Sequence, residues 1–369
     1  MNSLVSSSAT VAPVPIPQLT FTRFIAAMAV IVFHYGQDAF PFAAGFLHEV
    51  AGEAGITVSY FFFLSGFILF HVYGGKTFNI RTFFTARVAR IVPLYLFAFF
   101  ISLFCVLVIL EQKPWGGCAV LQGLFIHAWF PGNVLTINYP SWSVSVEVFF
   151  YVSFPLALLA VQRWGSKRFI FFAAFIWIIS IVQNIIVQNT FYDPESQAAG
   201  DFIMYFPLWH LNTFLCGIVA GILYRKWSAR SINRALPLLS VAVGVTAVVA
   251  IITSNSVLHS IMHTGFLSPF YAMITLGLAF DRTWLARSLA ARPMVFLGEI
   301  SYGIYLLQFP VWTLFTYFVG NPDAVKSTRG FYIFVAVLLV SSALSYFGIE
   351  RPTRKLIRKD RNKTGAEKL

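Results

Sequence analysis

The sequence predicts an all-α fold: a polytopic integral membrane helix bundle of about ten transmembrane helices, with both termini cytoplasmic. Three observations predict it. Only 11% of the 369 residues are charged, against 58% hydrophobic and 18% aromatic. A soluble domain carries about 25% charged residues, so this chain cannot cover itself in polar surface. Its apolar residues gather into stretches of about 17–25, the length that crosses a bilayer as a helix. Its basic residues collect on alternate connections between those stretches, which is the pattern of cytoplasmic loops.

Residues 1–18 are Ser-, Ala- and Pro-rich and uncharged, and read as a flexible N-terminal tail. They lack the basic start of a secretory signal peptide, so the next stretch is kept as structure. Ten stretches follow, near 19–38, 54–73, 88–110, 141–162, 168–188, 203–224, 235–253, 260–280, 297–318 and 330–349. Residues 19–350 thus form one membrane domain, and 351–369 a basic cytoplasmic tail. The piece 117–131 is apolar but short, bounded by Gly116–Gly117 and Pro131–Gly132, and reads as interfacial or re-entrant.

With ten spans, all of the 26 basic residues except Lys113, Lys326 and Arg329 fall on the side of the termini. The formal net charge of +12 is therefore topology rather than a nucleic-acid footprint. Cys105, Cys118 and Cys216 are scattered and odd in number, so no disulfide or metal framework is expected. No internal repeat of the transporter kind is visible.

The stretch Arg23–His34 organises the rest. As a helix its 11 steps advance about 16 Å and close three turns, so both side chains share a face. Ionisable groups inside a span mark a functional site by default. Imidazole suits a proton acceptor near neutral pH, although a histidine can also simply bond between helices. Arg23 would hold an anion or snorkel to the membrane surface. Ser65 and Gly66 are small, and let helices approach or leave a thin wall beside a channel. Arg87 and Arg90 share a face at the mouth of the third span, where they serve as topology charges or as a phosphate fork. Arg81 stands just before them.

In the fourth span Ser141, Ser143, Glu147 and Tyr151 recur at helical spacing, and the last three share a face. Glu147 is the clearest carboxylate inside any span, and His34 lies at a similar depth as a partner. Glu299, Tyr302, Tyr305 and Gln308 form a polar stripe along the ninth span, either packing or lining a cavity. His71, His127, His210, His259 and His263 lie near span ends and receive no role. Glu350–Arg351–Pro352 reads as the stop of the last span.

These pieces in this order resemble the membrane-bound acyltransferase family 3, bacterial O-acyltransferases that modify surface polysaccharides. The resemblance rests on Arg23-x10-His34, FFFLSGF at 61–67, Arg87-x2-Arg90 with Pro93 and Tyr95, SWSVSVEVFFYVSFP at 141–155, and SYGIYLLQFPV at 301–311. It covers nearly all of 19–352. Many members end the last block in His, where this chain has Gln308.

The resemblance implies an acyl-CoA-dependent O-acyltransferase of the bacterial inner membrane. Acyl-CoA, most simply acetyl-CoA, would be a co-substrate rather than a bound cofactor. Its phosphates would meet Arg87, Arg90 and Arg23. A sugar hydroxyl of an exopolysaccharide or lipid-linked glycan would lose its proton to His34 as general base, with Glu147 orienting the imidazole. Ser65, Ser143, Tyr151, Tyr302 and Gln308 are the candidates for oxyanion or substrate contacts, and an acyl-histidine intermediate is an alternative to direct transfer. The competing readings are a proton-coupled transporter or flippase of a glycan or acyl precursor, and a polysaccharide polymerase. The polymerase lacks its expected polar loop with paired carboxylates, because 111–140 carries only Glu111.

Overall fold

The protein is described by a computed structural model, which describes residues 15–191, 193, 195–228, 230, 233–254, 261–321 and 327–356. Most of the tail 1–18, His259, Lys326 and the basic residues beyond 356 lie outside the described residues. Within them the chain is helical and contains no strand. Eight helical stretches are long and apolar enough to cross a bilayer: 18–36, 45–73, 80–109, 139–191, 197–227, 235–252, 292–319 and 328–356.

Set against the ten expected stretches, this differs in one place. The run Trp142–Phe191 is two helices that meet at a kink at Gly165, so the expected spans 141–162 and 168–188 are both present. Gly165 has φ 79° and ψ 156°, a conformation that a side chain rarely adopts, so the chain turns here without a long connecting loop. The expected span 260–280 contains a helix of only 13 residues, Ser268–Phe280. Gly265, at φ 91°, breaks the chain just before it. The last helix also differs from expectation. It passes through Glu350–Arg351–Pro352 and continues to Leu356. A π turn at Tyr346–Glu350 precedes Pro352. It rearranges the hydrogen-bond ladder where proline supplies no N–H, which lets the helix continue.

The helices that matter for the site are α1 (Gln18–Ile31), α2 (Gly45–Glu53), α3 (Thr57–Tyr73), α4 (Ile80–Phe104), α5 (Gly116–Gly123) and α6 (Trp142–Phe191). After α7 (Gln197–Tyr205) come α8 (Leu211–Trp227), α9 (Ala235–Ile252), α10 (Ser268–Phe280), α11 (Trp284–Leu289), α12 (Arg292–Val319) and α13 (Thr328–Ser345). The broadest packing is α3 on α8, followed by α9 on α10, α1 on α12 and α12 on α13.

Glycine makes two of these crossings close. A Cβ on Gly66 would stand 2.1 Å from the Phe214 carbonyl oxygen, and one on Gly217 would stand 2.0 Å from that of Phe63. The α3–α8 backbones therefore touch, as small residues permit between membrane helices. At Gly298 an added Cβ would lie 2.0 Å from the Thr20 carbonyl oxygen, so α1 and α12 meet one turn from Arg23. The outer faces are apolar and exposed: Phe171, Phe175, Ile178 and Ile186 on the second half of α6, and Leu344 on α13. A helix surface of that kind belongs against lipid.

The 117–131 piece forms α5 and a short turn at His127–Trp129. It is tied inward by a buried polar chain. Tyr95 Oη donates to the Gln122 carbonyl at 2.7 Å, Gln122 Nε2 donates to Ser141 Oγ at 2.8 Å, and Ser141 Oγ lies 3.2 Å from His127 Nε2. Asn138 Nδ2 donates to the Leu306 carbonyl at 3.1 Å. Each such bond contributes about 1 kcal/mol net. Their joint effect is to fix the turn 138–142, which carries Tyr139 to the start of α6.

Candidate active site

Arg23, Arg87 and Arg90 come from different parts of the chain and meet around one cavity. Arg23 sits on α1 beside the Thr20–Gly298 crossing. Arg87 and Arg90 lie on α4, whose N-terminus is capped by Asn79 Oδ1 accepting from the Thr82 amide at 2.9 Å. Phe83, fully buried, anchors the first turns of α4. The cavity measures about 210 Å³, and its lining includes Ser65 and Phe61 of α3, Ser143, Glu147 and Tyr151 of α6, and Tyr302 and Tyr305 of α12. A second cavity of about 260 Å³ shares Thr20, Arg23, Arg87, Arg90 and Tyr302 with it, and adds Ala86, Glu299 and Arg354. The two share the arginines as a common wall, and the first reaches further along the helices, to Phe61 of α3 and Tyr305 of α12.

None of the three arginines makes a hydrogen bond or an ion pair with a described residue. Arg87 lies over the Phe83 and Tyr151 rings, its guanidinium carbon 5.9 and 5.7 Å from the centroids, and its Nε is buried without a partner. Cations taken out of water are costly unless compensated, and these three share the cavity with the carboxylate of Glu147.

Glu147 does not pair with His34, contrary to expectation. Its Oε1 accepts the Tyr151 hydroxyl at 2.5 Å, one helical turn away, and the carboxylate lines the arginine cavity. His34 lines neither cavity. It lies in a π turn, Val32–Gly36, that continues α1. The residue is exposed overall, its imidazole is crowded by neighbouring rings, and it makes no hydrogen bond with a described residue. Aromatic rings hold it instead. The Phe33 and Tyr139 centroids each lie 4.8 Å from the imidazole's, both edge-on. The Tyr139 hydroxyl is hydrogen-bonded to that of Tyr35, which in turn stacks on Trp312 at 4.3 Å. Arg23 and His34 therefore mark two ends of one helix, about 16 Å apart by helical rise.

The other expected contacts divide. Ser65 lines the cavity with an uncommitted hydroxyl. Ser143 also lines it, donating to the Pro140 carbonyl at 3.2 Å. The Tyr302 hydroxyl donates to the Ile91 carbonyl at 3.2 Å, which ties α12 to α4. Gln308 does not line either cavity. It is fully buried and its Nε2 bonds back to the Tyr305 carbonyl at 2.7 Å, so the polar stripe of α12 faces the cavity only as far as Tyr305. Glu299 accepts from Tyr346 Oη at 2.6 Å at the outer cavity.

A family model described as an acyltransferase domain matches residues 16–348. The chain belongs to this acyltransferase family. It is 28% identical to "Acyltransferase MdmB" of Streptomyces mycarofaciens over 93% of each chain. It is 23% identical to "Peptidoglycan O-acetyltransferase OatA" of Listeria monocytogenes over 92% of this chain, and spans 56% of that relative's length. It is 22% identical to "O-acetyltransferase OatA" of Staphylococcus aureus, of which it spans 57%. No solved structure matches. Family membership and the apolar helices together make this acyltransferase a multi-pass membrane protein.

Four residues around the site stand out little in the sequence. Tyr35 and Tyr139 are single tyrosines among fifteen. Glu350 and Arg354 are hidden in what reads as a helix stop and a basic tail. Their i, i+4 spacing in a continued helix was the available clue.

Proposed function

We propose that this acyltransferase takes an acyl group, most simply acetyl from acetyl-CoA, and transfers it to a sugar hydroxyl of an exopolysaccharide or lipid-linked glycan across the bacterial inner membrane. The observation that carries the reading is the arrangement along α1: a cavity with three arginines at one end and His34, held among aromatic rings, about 16 Å away at the other. The first suits the phosphates of a nucleotide thioester arriving from the basic, cytoplasmic side. An extended pantetheine arm is of the length needed to bridge the two.

In this scheme His34 takes the proton of the acceptor hydroxyl as the oxygen attacks the thioester carbonyl. The C–O bond forms, the C–S bond breaks, and coenzyme A leaves as its thiol, accepting the proton held by His34. Tyr139 and Phe33 hold the imidazole in place. Glu147, bonded to Tyr151, belongs to the donor cavity, where it moderates the charge of the arginines. The Ser65 hydroxyl lines the same cavity and is a candidate contact for the donor.

The relatives described as O-acetyltransferases support the reaction class. A proton-coupled carrier is the reading it competes with. Purified protein in detergent separates them: an acyltransferase consumes acetyl-CoA when a glycan acceptor is supplied, whereas a carrier has no turnover without a membrane. Absence of acceptor-dependent consumption would contradict the proposal.

A further inference from the structure

The outer cavity is lined on one side by Arg354, near the end of the last helix. Glu350 is 1% exposed, so its carboxylate is inside the protein. Its Oε2 accepts a 2.6 Å hydrogen bond from Arg354 Nη2, and its Oε1 is buried with no partner. Arg354 lines the outer cavity together with Arg23, Arg87 and Arg90, but does not line the deeper one. Its Nη1 makes no hydrogen bond with a described residue, and its Nε is buried without one.

An ordinary i, i+4 ion pair on a helix surface contributes little. A carboxylate this deeply buried is different, because it costs free energy unless something holds it there. Glu350 holds the Arg354 guanidinium through Nη2, while Nη1 makes no hydrogen bond with a described residue. Among the described arginines of the site, Arg354 is the one that is both held by a carboxylate and confined to the outer end.

We propose that Arg354 is the subsite for the 3′-phosphate of coenzyme A, and that Glu350 is the positioning residue that holds it there. This rests on the acyl-CoA reading given above. In coenzyme A the thioester lies at one end of the molecule and the 3′-phosphate lies on the adenosine ribose at the other. If the thioester travels inward toward His34, the adenosine end stays at the mouth. Arg23, Arg87 and Arg90 line both cavities and so stand between, at the level of the diphosphate. Arg354, found only at the mouth, meets the remaining phosphate, with the planar fork that grips such a group through two parallel hydrogen bonds. The site would then take a nucleotide thioester bearing a 3′-phosphate in preference to one that lacks it.

The test compares the affinity of the purified full chain in detergent for coenzyme A and for 3′-dephospho-coenzyme A, by titration calorimetry. Wild type is expected to bind coenzyme A about tenfold to a hundredfold more tightly than the dephospho form. Arg354→Ala should remove that preference by weakening coenzyme A alone, and Arg354→Lys should restore part of it. Truncating Arg354 strands the Glu350 carboxylate, so the paired variant Glu350→Gln/Arg354→Met, which removes both charges, is measured beside it and should also bind the two ligands equally. A purely structural role would weaken both ligands together and leave their ratio unchanged. A preference that survives in Arg354→Ala and in the paired variant overturns the inference, as does a wild type that binds both ligands equally. A wild type that binds neither overturns the acyl-CoA reading itself.

Discussion

The Tyr139 ring stands edge-on against the His34 imidazole, with the two centroids 4.8 Å apart. The hydroxyl of that tyrosine is bonded to Tyr35, on the same π turn as the histidine. The imidazole is thus placed by rings rather than by a carboxylate. Tyr139→Ala should lower kcat at least tenfold, because small misplacement of a reacting group is costly, while leaving the KM for the acyl donor unchanged. Tyr139→Phe keeps the ring and should retain most turnover. Steady-state kinetics of the two variants check this.

Arg87→Ala and Arg90→Ala should each raise the donor KM about tenfold or more, since a hydrogen bond to a charged group contributes about 1.5–3 kcal/mol. Donor KM in wild type should also rise with ionic strength, because the site works through charge. Kinetics at two salt concentrations read both effects. Unchanged KM in both variants would place the nucleotide elsewhere.

Glu147→Gln tests the partner that the structure gives this carboxylate. It keeps an acceptor for Tyr151 and removes one negative charge from a cavity with three arginines. Donor affinity should rise, and the pH profile of kcat should keep its shape. A carboxylate acting through His34 would instead move that profile.

Gly217→Ala should fail as a fold. Its Cβ would lie 2.0 Å from the Phe63 carbonyl oxygen, and backbone at the α3–α8 crossing cannot move aside as a side-chain end would. The expected result is loss of the monodisperse species on size exclusion in detergent, with Gly52→Ala, where nothing lies within 4 Å, as the unaffected control.

Much of the architecture was legible in the sequence because membrane helices declare themselves by length and apolarity. The predicted stretches fall on helix except 260–280, which is broken at Gly265, and the arginines 23, 87 and 90 meet around one cavity. What the sequence did not show follows from physics that periodicity does not carry. Glu350 and Arg354 looked like a stop and a tail, because the π turn that carries the helix past Pro352 has no simple sequence mark. The pairing of Glu147 with His34 followed from equal depth alone, and depth does not fix which neighbour a carboxylate meets: Tyr151, one turn away on the same helix, takes it.

The most direct test is mass spectrometry of the surface glycan from cells that lack the endogenous protein and carry either wild type or His34→Ala. Removal of a placed general base costs about 10²–10⁴ in rate. The account predicts acylated glycan with wild type and its loss with His34→Ala, while the variant reaches the membrane in equal amount. Equal acylation from both would contradict it.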